Sequence, residues 1–479
     1  MSTDLARLSA VELAATIAAG DLSPVESVQS TIDRIEALDG EVNAVIHRRF
    51  EQALEEAGSP DLPDGPFRGV PMLLKDLWPA SAGDPFHLGI KGMKRAGYVH
   101  PTGSHIVQRY REAGFVIVGR TNTPELGLTA TTEPEAYGAT HNPWNLDHGP
   151  GGSSGGASAA VAAGMVPAAN ASDGGGSIRI PAAMCNLVGL KPSRGRVPMG
   201  PMQDEWSQSA QHVVSHTVRD TADILDITAI PTLGDGVVAP PTGQPYAACV
   251  GADPGQLRIG LMTNSGRASI DVDPECAALA VETGRILEGL GHAVEEGFPA
   301  ALADPEFAGS FGVLWGANAA NNVAGLERLI GRELGEDDVE PATWIQIQRA
   351  RTASALDIVG AQGAQHRFRR GVAEFWESGF DLLLTPTTAA PPPVLGWCTH
   401  TAEEPMRGSI NSIPYAVFTS AFNVTGQPAI SVPMGFTDAG LPIGAQLVAA
   451  YGREDLLIKV ASQLESVVNW SSTRAPMHP

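Results

Sequence analysis

The sequence predicts an α/β protein, because short runs of consecutive apolar residues alternate along the chain with segments of helical periodicity. Strands that are buried on both faces show such runs without polar alternation, so we expect a sheet that helices cover on its two faces. The runs typical of these strands are residues 69–75, 115–118, 258–262, 381–385, 429–432 and 445–448.

The chain begins with two predicted helices. Residues 9–12 and 23–26 both read Ser-x-x-Glu, which is the capping box of a helix N-terminus. Apolar positions at helical spacing follow each box, and we expect the two helices to end at Gly20 and Gly40. A helical segment of about residues 1–60 therefore precedes the first strand. Further helices are expected over residues 106–113, 157–164, 277–290 and 455–467.

Composition limits the classes of function. The chain has 479 residues and a formal net charge of −22, and an acidic surface repels nucleic acid and anionic membranes. It contains no run of about 18 apolar residues that could span a membrane, and its first residues lack the basic and apolar regions of a signal peptide. We expect a cytoplasmic protein with neither nucleic-acid nor membrane partners.

The four cysteines lie far apart, without a CxxC pair or clustered histidines. This spacing is typical neither of a zinc site nor of a disulfide framework, and we expect no metal and no organic cofactor. One domain over residues 1–479 is expected. The Pro- and Gly-rich stretches 231–256 and 386–397 could bound a substrate-shaping subdomain of about residues 230–400.

The most unusual segment is residues 149–181, which holds two glycine-serine clusters, GGSSGG at 151–156 and GGGS at 174–177. Glycines at this density cost backbone entropy on folding. A functional reason for this cost would be that the backbone must approach a ligand closely. Several N–H groups aimed at one point can hold an oxyanion, and a serine beside them can be a nucleophile. A flexible linker, a phosphate-binding loop and close packing alone are the other interpretations.

Lys75 ends a run of apolar residues and precedes Asp76. Taken alone, the pattern fits a lysine at a strand end that pairs with its neighbour. The functional alternative is a lysine whose pKa is lowered by burial from about 10.4, so that it serves as a base at neutral pH. The sequence leaves both open, since only the partner of the amine decides between them.

Together these segments resemble the amidase signature family. The resemblance rests on GGSSGG at 151–156, on a stretch of small residues after it, and on Asp-x-Gly-Gly-Ser-Ile-Arg-Ile-Pro-Ala over 173–182. The lysine segment 69–76 and the C-terminal segments 422–431 and 440–444 also match the family. The resemblance covers nearly the whole chain and implies a large mixed β-sheet flanked on both faces by α-helices.

The resemblance also implies a mechanism. Ser177 would be the nucleophile, Ser153 a bridging serine that follows a cis peptide bond, and Lys75 the base of a Ser–cisSer–Lys triad. The oxyanion would be held by the N–H groups of Ser177 and of the three glycines before it, which are Gly174, Gly175 and Gly176. Supporting roles fall to Ser154, Asp173 and Arg179.

The implied reaction is hydrolysis of a carbon–nitrogen amide bond through a covalent acyl-enzyme, with a small linear, cyclic or aryl amide as substrate. Residues 125–132 should pass near the site, and the expected pocket residues are Trp78, Thr129 and Trp315. None of the 12 histidines fits a triad role. A homodimer is left open, and the resemblance implies no cofactor.

Within the family, several stretches are similar to the hydrolases that open the 6-aminohexanoate cyclic dimer; they are residues 73–77, 91–94, 131–136, 142–146 and 449–457. A shared scaffold does not fix the substrate, so other functions stay open. These are the glutaminase subunit of a tRNA-dependent amidotransferase, an esterase or carbamate hydrolase, and a binding protein that has kept the fold.

Overall fold

The apolar runs form one mixed sheet in the computed structural model, which describes residues 5–204, 207–267 and 269–478. In chain order, its eleven strands within these ranges are β1 (Val45–Arg48), β2 (Pro71–Lys75), β3 (Val116–Thr121), β4 (Ala168–Asp173), β5 (Val188–Lys191), β6 (Ala210–Ser215), β7 (Arg258–Leu261), β8 (Ala293–Glu296), β9 (Leu382–Pro386), β10 (Ala429–Phe436) and β11 (Pro442–Ala449). Across the sheet they follow the order β1-β3-β2-β4-β6-β5-β10-β11-β9-β7-β8.

Strand direction changes several times across the sheet, whose edge strand β1 pairs antiparallel with β3. β2 is parallel to its neighbours β3 and β4, and β7 is parallel to β8 and β9. The strands between them, from β6 to β11, pair antiparallel. Because β2 and β4 are parallel neighbours, their carboxyl ends meet at one edge of the sheet. Lys75 is the last residue of β2 and Asp173 is the last residue of β4.

Helices cover the sheet. The longer ones are α1 (Ala10–Ala18), α2 (Pro24–Val42), α3 (Phe50–Gly58), α5 (His105–Glu112), α6 (Gly155–Ala162), α8 (Val218–Thr228), α9 (Pro274–Gly289), α10 (Glu306–Ile330), α11 (Pro341–Thr352), α12 (Ala355–Glu377) and α16 (Glu454–Val468). The short ones are α4 (Lys91–Ala96), α7 (Arg179–Met184), α13 (Arg407–Asn411), α14 (Ile413–Ala416) and α15 (Ser420–Thr425). Every residue of β2, β3, β4, β6 and β11 is buried. Successive side chains of a strand point to opposite faces, so both faces of the central sheet are covered.

The strands and helices predicted from apolar periodicity are present. The predicted C-terminal end of one helix is wrong, and several strands were not predicted. Gly40 does not end α2, which continues to Val42 and ends before Asn43 in the left-handed conformation, at φ 53°. The missed strands are β1, β4, β5, β6 and β8. β4 reads Ala-Ala-Asn-Ala-Ser-Asp, and such small and polar residues carry little strand propensity. This strand forms because its neighbours β2 and β6 bury it.

The region of about residues 230–400 contributes strands to the same sheet and also a group of helices. β7, β8 and β9 complete one side of the sheet, while α11 and α12 both pack against α10. The four cysteines are buried and free. Within the described ranges, no helix is both long and apolar enough to cross a membrane.

Candidate active site

Lys75 lies at the carboxyl end of β2 with its side chain fully buried. Its Nζ lies 2.7 Å from Ser153 Oγ, 2.9 Å from Ser154 Oγ and 3.0 Å from Ser172 Oγ. Ser172 comes from β4, the neighbouring parallel strand, and the two other serines come from the loop before α6. The lysine is therefore surrounded by hydroxyl groups, with no carboxylate within hydrogen-bonding distance among the described residues.

Burial lowers the pKa of Lys75 well below its ordinary value of 10.5, because a charged ammonium loses its hydration inside the protein. The negative charge of Asp173 opposes this shift. That carboxylate does not contact the amine, because the Arg179 guanidinium and backbone N–H groups occupy its oxygens. The amine is therefore held in an environment that favours its neutral form, which has a lone pair to accept a proton.

The loop that carries Ser153 is fixed by close backbone contacts. The peptide bond between Gly152 and Ser153 is cis, as the family resemblance implied. A Cβ on Gly152 would lie 2.3 Å from the carbonyl oxygen of Thr131, so only glycine fits there. Thr123 Oγ1 donates to the Ser153 carbonyl at 3.0 Å, and Thr132 Oγ1 donates to the Gly151 carbonyl at 2.9 Å.

Ser177 follows the second glycine cluster, and 8% of its surface is exposed. The Ser154 N–H donates to its carbonyl at 3.2 Å, which joins the two glycine-serine clusters. In the described part of the chain, the N–H groups of Gly174, Gly175 and Ser177 donate no hydrogen bond, and all three residues border a cavity. Donors of this kind are what a developing oxyanion requires.

Gly176 departs from the expected role. Its N–H donates to Asp173 Oδ1 at 2.8 Å, so it is not available to an oxyanion, and the expectation for this amide is wrong. The residue is glycine for a different reason. Its φ is 137°, and a Cβ would lie 2.3 Å from Thr419 Oγ1, which itself donates to the Gly175 carbonyl at 2.6 Å.

Asp173 and Arg179 form a buried ion pair with two contacts of 2.9 Å, and both side chains are fully buried. Burial raises the pKa of Asp173, but Arg179, Lys191 and Asn423 outweigh it and hold the pKa below its ordinary value. Asp173 also accepts the N–H groups of Gly176 and of Ile178. The ionised carboxylate therefore fixes the backbone on both sides of Ser177.

A large cavity of about 470 Å³ opens beside Ser177. This volume is in the range of pockets for small organic ligands. Most of its wall is apolar, and the Phe311 and Trp315 rings stack at 5.3 Å between centroids. The remaining large apolar residues of the wall are Leu128, Ile180, Val313, Met406 and Ile413. Its polar side chains are Ser177 itself, Thr129, Gln346, Arg349, Ser409 and Ser412.

A second, narrower cavity of about 50 Å³ lies on the other side of Ser177. Gly127, Leu128, Trp315 and Ser177 border both cavities. The narrow one has more polar residues in its wall, which are Ser153, Ser172, Gln203, Ser207, Gln208, Ser209, Asn318 and Asn322 besides Ser177. Ser177 therefore lies where the two cavities meet.

The expected pocket residues all border these cavities. Thr129 lines the large one, Trp78 lines the narrow one and Trp315 lines both. Trp78 adopts a φ of 72°, which is rare for a bulky side chain. Sequence reasoning missed Ser172, although its place directly before Asp173 in the family motif was a usable signal. It also missed Gln346 and Arg349, which no local pattern distinguishes from surface residues.

Comparisons with known proteins extend the similarity to the whole chain. A family model described as Amidase matches residues 26–458. The chain is 42% identical over 467 residues to a 6-aminohexanoate-cyclic-dimer hydrolase of Paenarthrobacter ureafaciens, covering 96% of this chain and 94% of that protein. A solved structure of 6-aminohexanoate cyclic dimer hydrolase matches with a TM-score of 0.95 at 41% identity, covering 98% of this chain and 99% of the other. A bacterial aryl acylamidase matches with a TM-score of 0.87 at 30% identity, covering 97% of both chains.

Proposed function

The chain belongs to the amidase family and is a hydrolase of carbon–nitrogen amide bonds, and we propose that Ser177 is its nucleophile, Ser153 its bridging hydroxyl and Lys75 its base. The observation that carries this assignment is the 2.7 Å separation between Lys75 Nζ and Ser153 Oγ in a fully buried setting. A buried amine without a contacting carboxylate can act as a base, since burial removes the hydration of the charged form and no contacting anion replaces it.

The hydrogen bonds around Lys75 support the direction of proton transfer. A neutral amine has two N–H groups and one lone pair. Ser154 Oγ is an acceptor for Lys75, because its own hydroxyl donates to the Ser172 carbonyl at 3.1 Å. Ser172 Oγ accepts at 3.0 Å. With both N–H groups used in this way, the lone pair of Lys75 is left for the hydroxyl proton of Ser153.

In the proposed reaction, Ser153 Oγ takes the proton of Ser177 Oγ while it passes its own proton to Lys75 Nζ. Ser177 Oγ forms a bond to the carbonyl carbon, and the N–H groups of Gly174, Gly175 and Ser177 hold the oxyanion. The proton then returns through Ser153 to the amine nitrogen as the carbon–nitrogen bond breaks. Water releases the acyl group from Ser177 by the same relay, which restores both serines and the neutral lysine.

The cavities support a small amide as the substrate. The large apolar cavity suits an aliphatic or aryl group, and its volume is in the range of pockets for small organic ligands. The similar proteins include a hydrolase of the 6-aminohexanoate cyclic dimer and an aryl acylamidase. We therefore propose linear, cyclic and aryl amides of this size as substrates, with esters and carbamates as slower or competing ones.

The assignment is tested by hydrolysis of a panel of simple amides, anilides and esters, together with the 6-aminohexanoate cyclic dimer. We expect Ser177→Ala and Lys75→Ala to lower kcat/KM by about 10³-fold or more, since each removes a group that the relay requires. Ser158→Ala is the matched control, because Ser158 is a buried serine of α6 that borders neither cavity. Full activity of Ser177→Ala on any cleaved member of the panel would exclude Ser177 as the nucleophile.

A further inference from the structure

The wall of the large cavity carries one charged side chain among the described residues, that of Arg349. No aspartate or glutamate borders either cavity in the described ranges. An arginine guanidinium is always charged and offers a planar set of donors that matches a carboxylate. The charge of the substrate space is therefore positive, within a protein whose net charge is −22.

Arg349 borders the cavity because of its position on α11. The cavity-lining residues of this helix and its C-cap are Gln346, Arg349, Ala350 and Ala353. Their spacing of three and four residues places them on one helix face. The two alanines leave room in front of this face, and Gln346 adds a neutral donor one turn before the guanidinium. The face thus presents polar donors across an otherwise apolar space.

The Arg349 side chain forms no ion pair or hydrogen bond within the described part of the chain. Some exposed arginines of this acidic protein pair with carboxylates, as Arg332 does with Asp338 and Arg367 does with Glu306. The wall of the same cavity contains a second polar group without a partner, because the buried Oγ of Ser409 forms no hydrogen bond in the described part of the chain. Two unused polar groups in the wall of one cavity are available to a polar group of the substrate.

We propose that Arg349 binds a carboxylate on the substrate, so that the preferred substrates are open-chain amides bearing a free carboxylate on the aliphatic or aryl part that fills the large cavity. This inference rests on the proposed function, since it assigns the substrate class of that same site. A neutral cyclic amide has no group that uses the charge of Arg349. The specificity of this chain therefore favours an acyclic anion over a neutral ring.

The test compares pairs of substrates that differ only in charge. One pair places the group on the acyl side: the 4-nitroanilide of adipic acid with its free carboxylate, and the same anilide ending in a methyl ketone. The other pair places it on the amine side: N-benzoyl-6-aminohexanoate and its methyl ketone analogue. We expect the wild type to favour the carboxylate in at least one pair, measured as the ratio of the two kcat/KM values. Arg349→Gln should lower this ratio by about 10- to 100-fold, and Arg349→Lys should lower it less.

Arg351→Gln is the matched control, because Arg351 lies on the same helix, is exposed and borders neither cavity. It removes the same charge from the protein and should leave the ratio unchanged. Equal ratios in Arg349→Gln and the wild type, or no preference for the carboxylate in either pair, would overturn the proposal.

A binding measurement separates this inference from the catalytic assignment. Calorimetry with Ser177→Ala reports affinity for the same compounds without turnover. We expect tighter binding of the carboxylate than of the ketone in Ser177→Ala, and loss of the difference in Ser177→Ala with Arg349→Gln. If Ser177→Ala still hydrolyses the substrates while the Arg349 effect persists, the nucleophile is wrong and the carboxylate site stands. If affinity shows no dependence on Arg349, the carboxylate site is wrong whatever the nucleophile.

Discussion

At Lys75, the environment that suits catalysis opposes stability. The ammonium form is not hydrated inside the protein, and in the described part of the chain its close polar partners are hydroxyl groups and one carbonyl. Its folded-state pKa is therefore well below 10.5, while the unfolded chain keeps an ordinary lysine. Between these two pKa values the unfolded state binds more protons, so the free energy of unfolding rises with pH. The burial that favours the neutral amine therefore lowers the free energy of unfolding at pH values below the ordinary pKa of lysine.

We expect Lys75→Met to remove that pH dependence. Methionine fills a similar volume without titrating, so the stability of the variant relative to the wild type should fall as pH rises from the folded-state pKa of Lys75 towards about pH 10. Urea unfolding at several pH values measures it. Ser177→Ala, which is also inactive but keeps Lys75, should retain the wild-type slope. Parallel pH curves for Lys75→Met and the wild type would show that Lys75 titrates normally in the folded protein.

At the scale of elements, α11 is held by a carboxyl group from the loop that borders the active site. Glu125 is buried directly before Leu126 and Gly127, and its Oε1 accepts the N–H of Glu340 at 2.7 Å. Glu340 is the N-cap of α11, the helix that carries Arg349. Burial raises the pKa of Glu125 well above 4.5, and the charge of Glu340 raises it further. A buried carboxyl group whose pKa is raised is thus linked by a hydrogen bond to the N-terminus of a helix in the cavity wall.

Glu125→Gln tests this link. A carboxyl group whose folded pKa is raised contributes most stability when it is protonated in both states, and that contribution is lost as pH rises through the folded pKa. Glutamine keeps the acceptor for the Glu340 N–H but cannot ionise. We therefore expect the thermal stability of Glu125→Gln to increase relative to the wild type as pH rises from about 5 to about 8. Glu374→Gln, at an exposed position of α12, should show no such trend; equal trends would mean that the Glu125 carboxyl group is not the source.

At the scale of the molecule, the Arg179 guanidinium connects the nucleophile loop to the C-terminal half of the sheet. Besides Asp173, it donates to Gln446 Oε1 at 2.7 Å and to Asn423 Oδ1 at 2.7 Å. Gln446 lies in β11 and Asn423 lies in α15, more than 240 residues away in sequence. The backbone that we propose to bind the oxyanion is therefore positioned by elements from both halves of the chain.

Removal of this guanidinium should be costly. Arg179→Ala leaves Asp173 buried without its cation, and loss of one partner from a buried pair typically costs about 3–5 kcal/mol of unfolding free energy. Arg285→Ala is the control, because the pair of Arg285 and Glu282 is exposed and such pairs contribute about 0–1 kcal/mol. Chemical denaturation measures both variants. A loss of less than about 1 kcal/mol for Arg179→Ala would show that the network contributes little to stability.

Much of the fold could be predicted from local patterns, and the failures have local causes. The capping boxes at Ser9 and Ser23 form as expected, because a cap needs only residues within one turn. The apolar runs form strands because a strand that is buried on both faces needs apolar side chains at consecutive positions. β4 was missed because its alanines and polar residues do not form an apolar run. It becomes a strand because it pairs with β2 and β6 on its two sides.

The sequence by itself determined the α/β class, the main helices and strands, and through the family motif the residues proposed as Lys75, Ser153 and Ser177 of the site. Tertiary structure decided the contacts between distant residues: that the Gly176 amide turns to Asp173, that Ser172 faces Lys75, that Glu125 meets a helix 215 residues later, and that Arg349 borders the substrate cavity. Propensity and capping act over a few residues and can be found in sequence. The direction of a buried polar side chain depends on which partners the whole fold brings within hydrogen-bonding distance, because an unpaired buried polar group is too costly to persist.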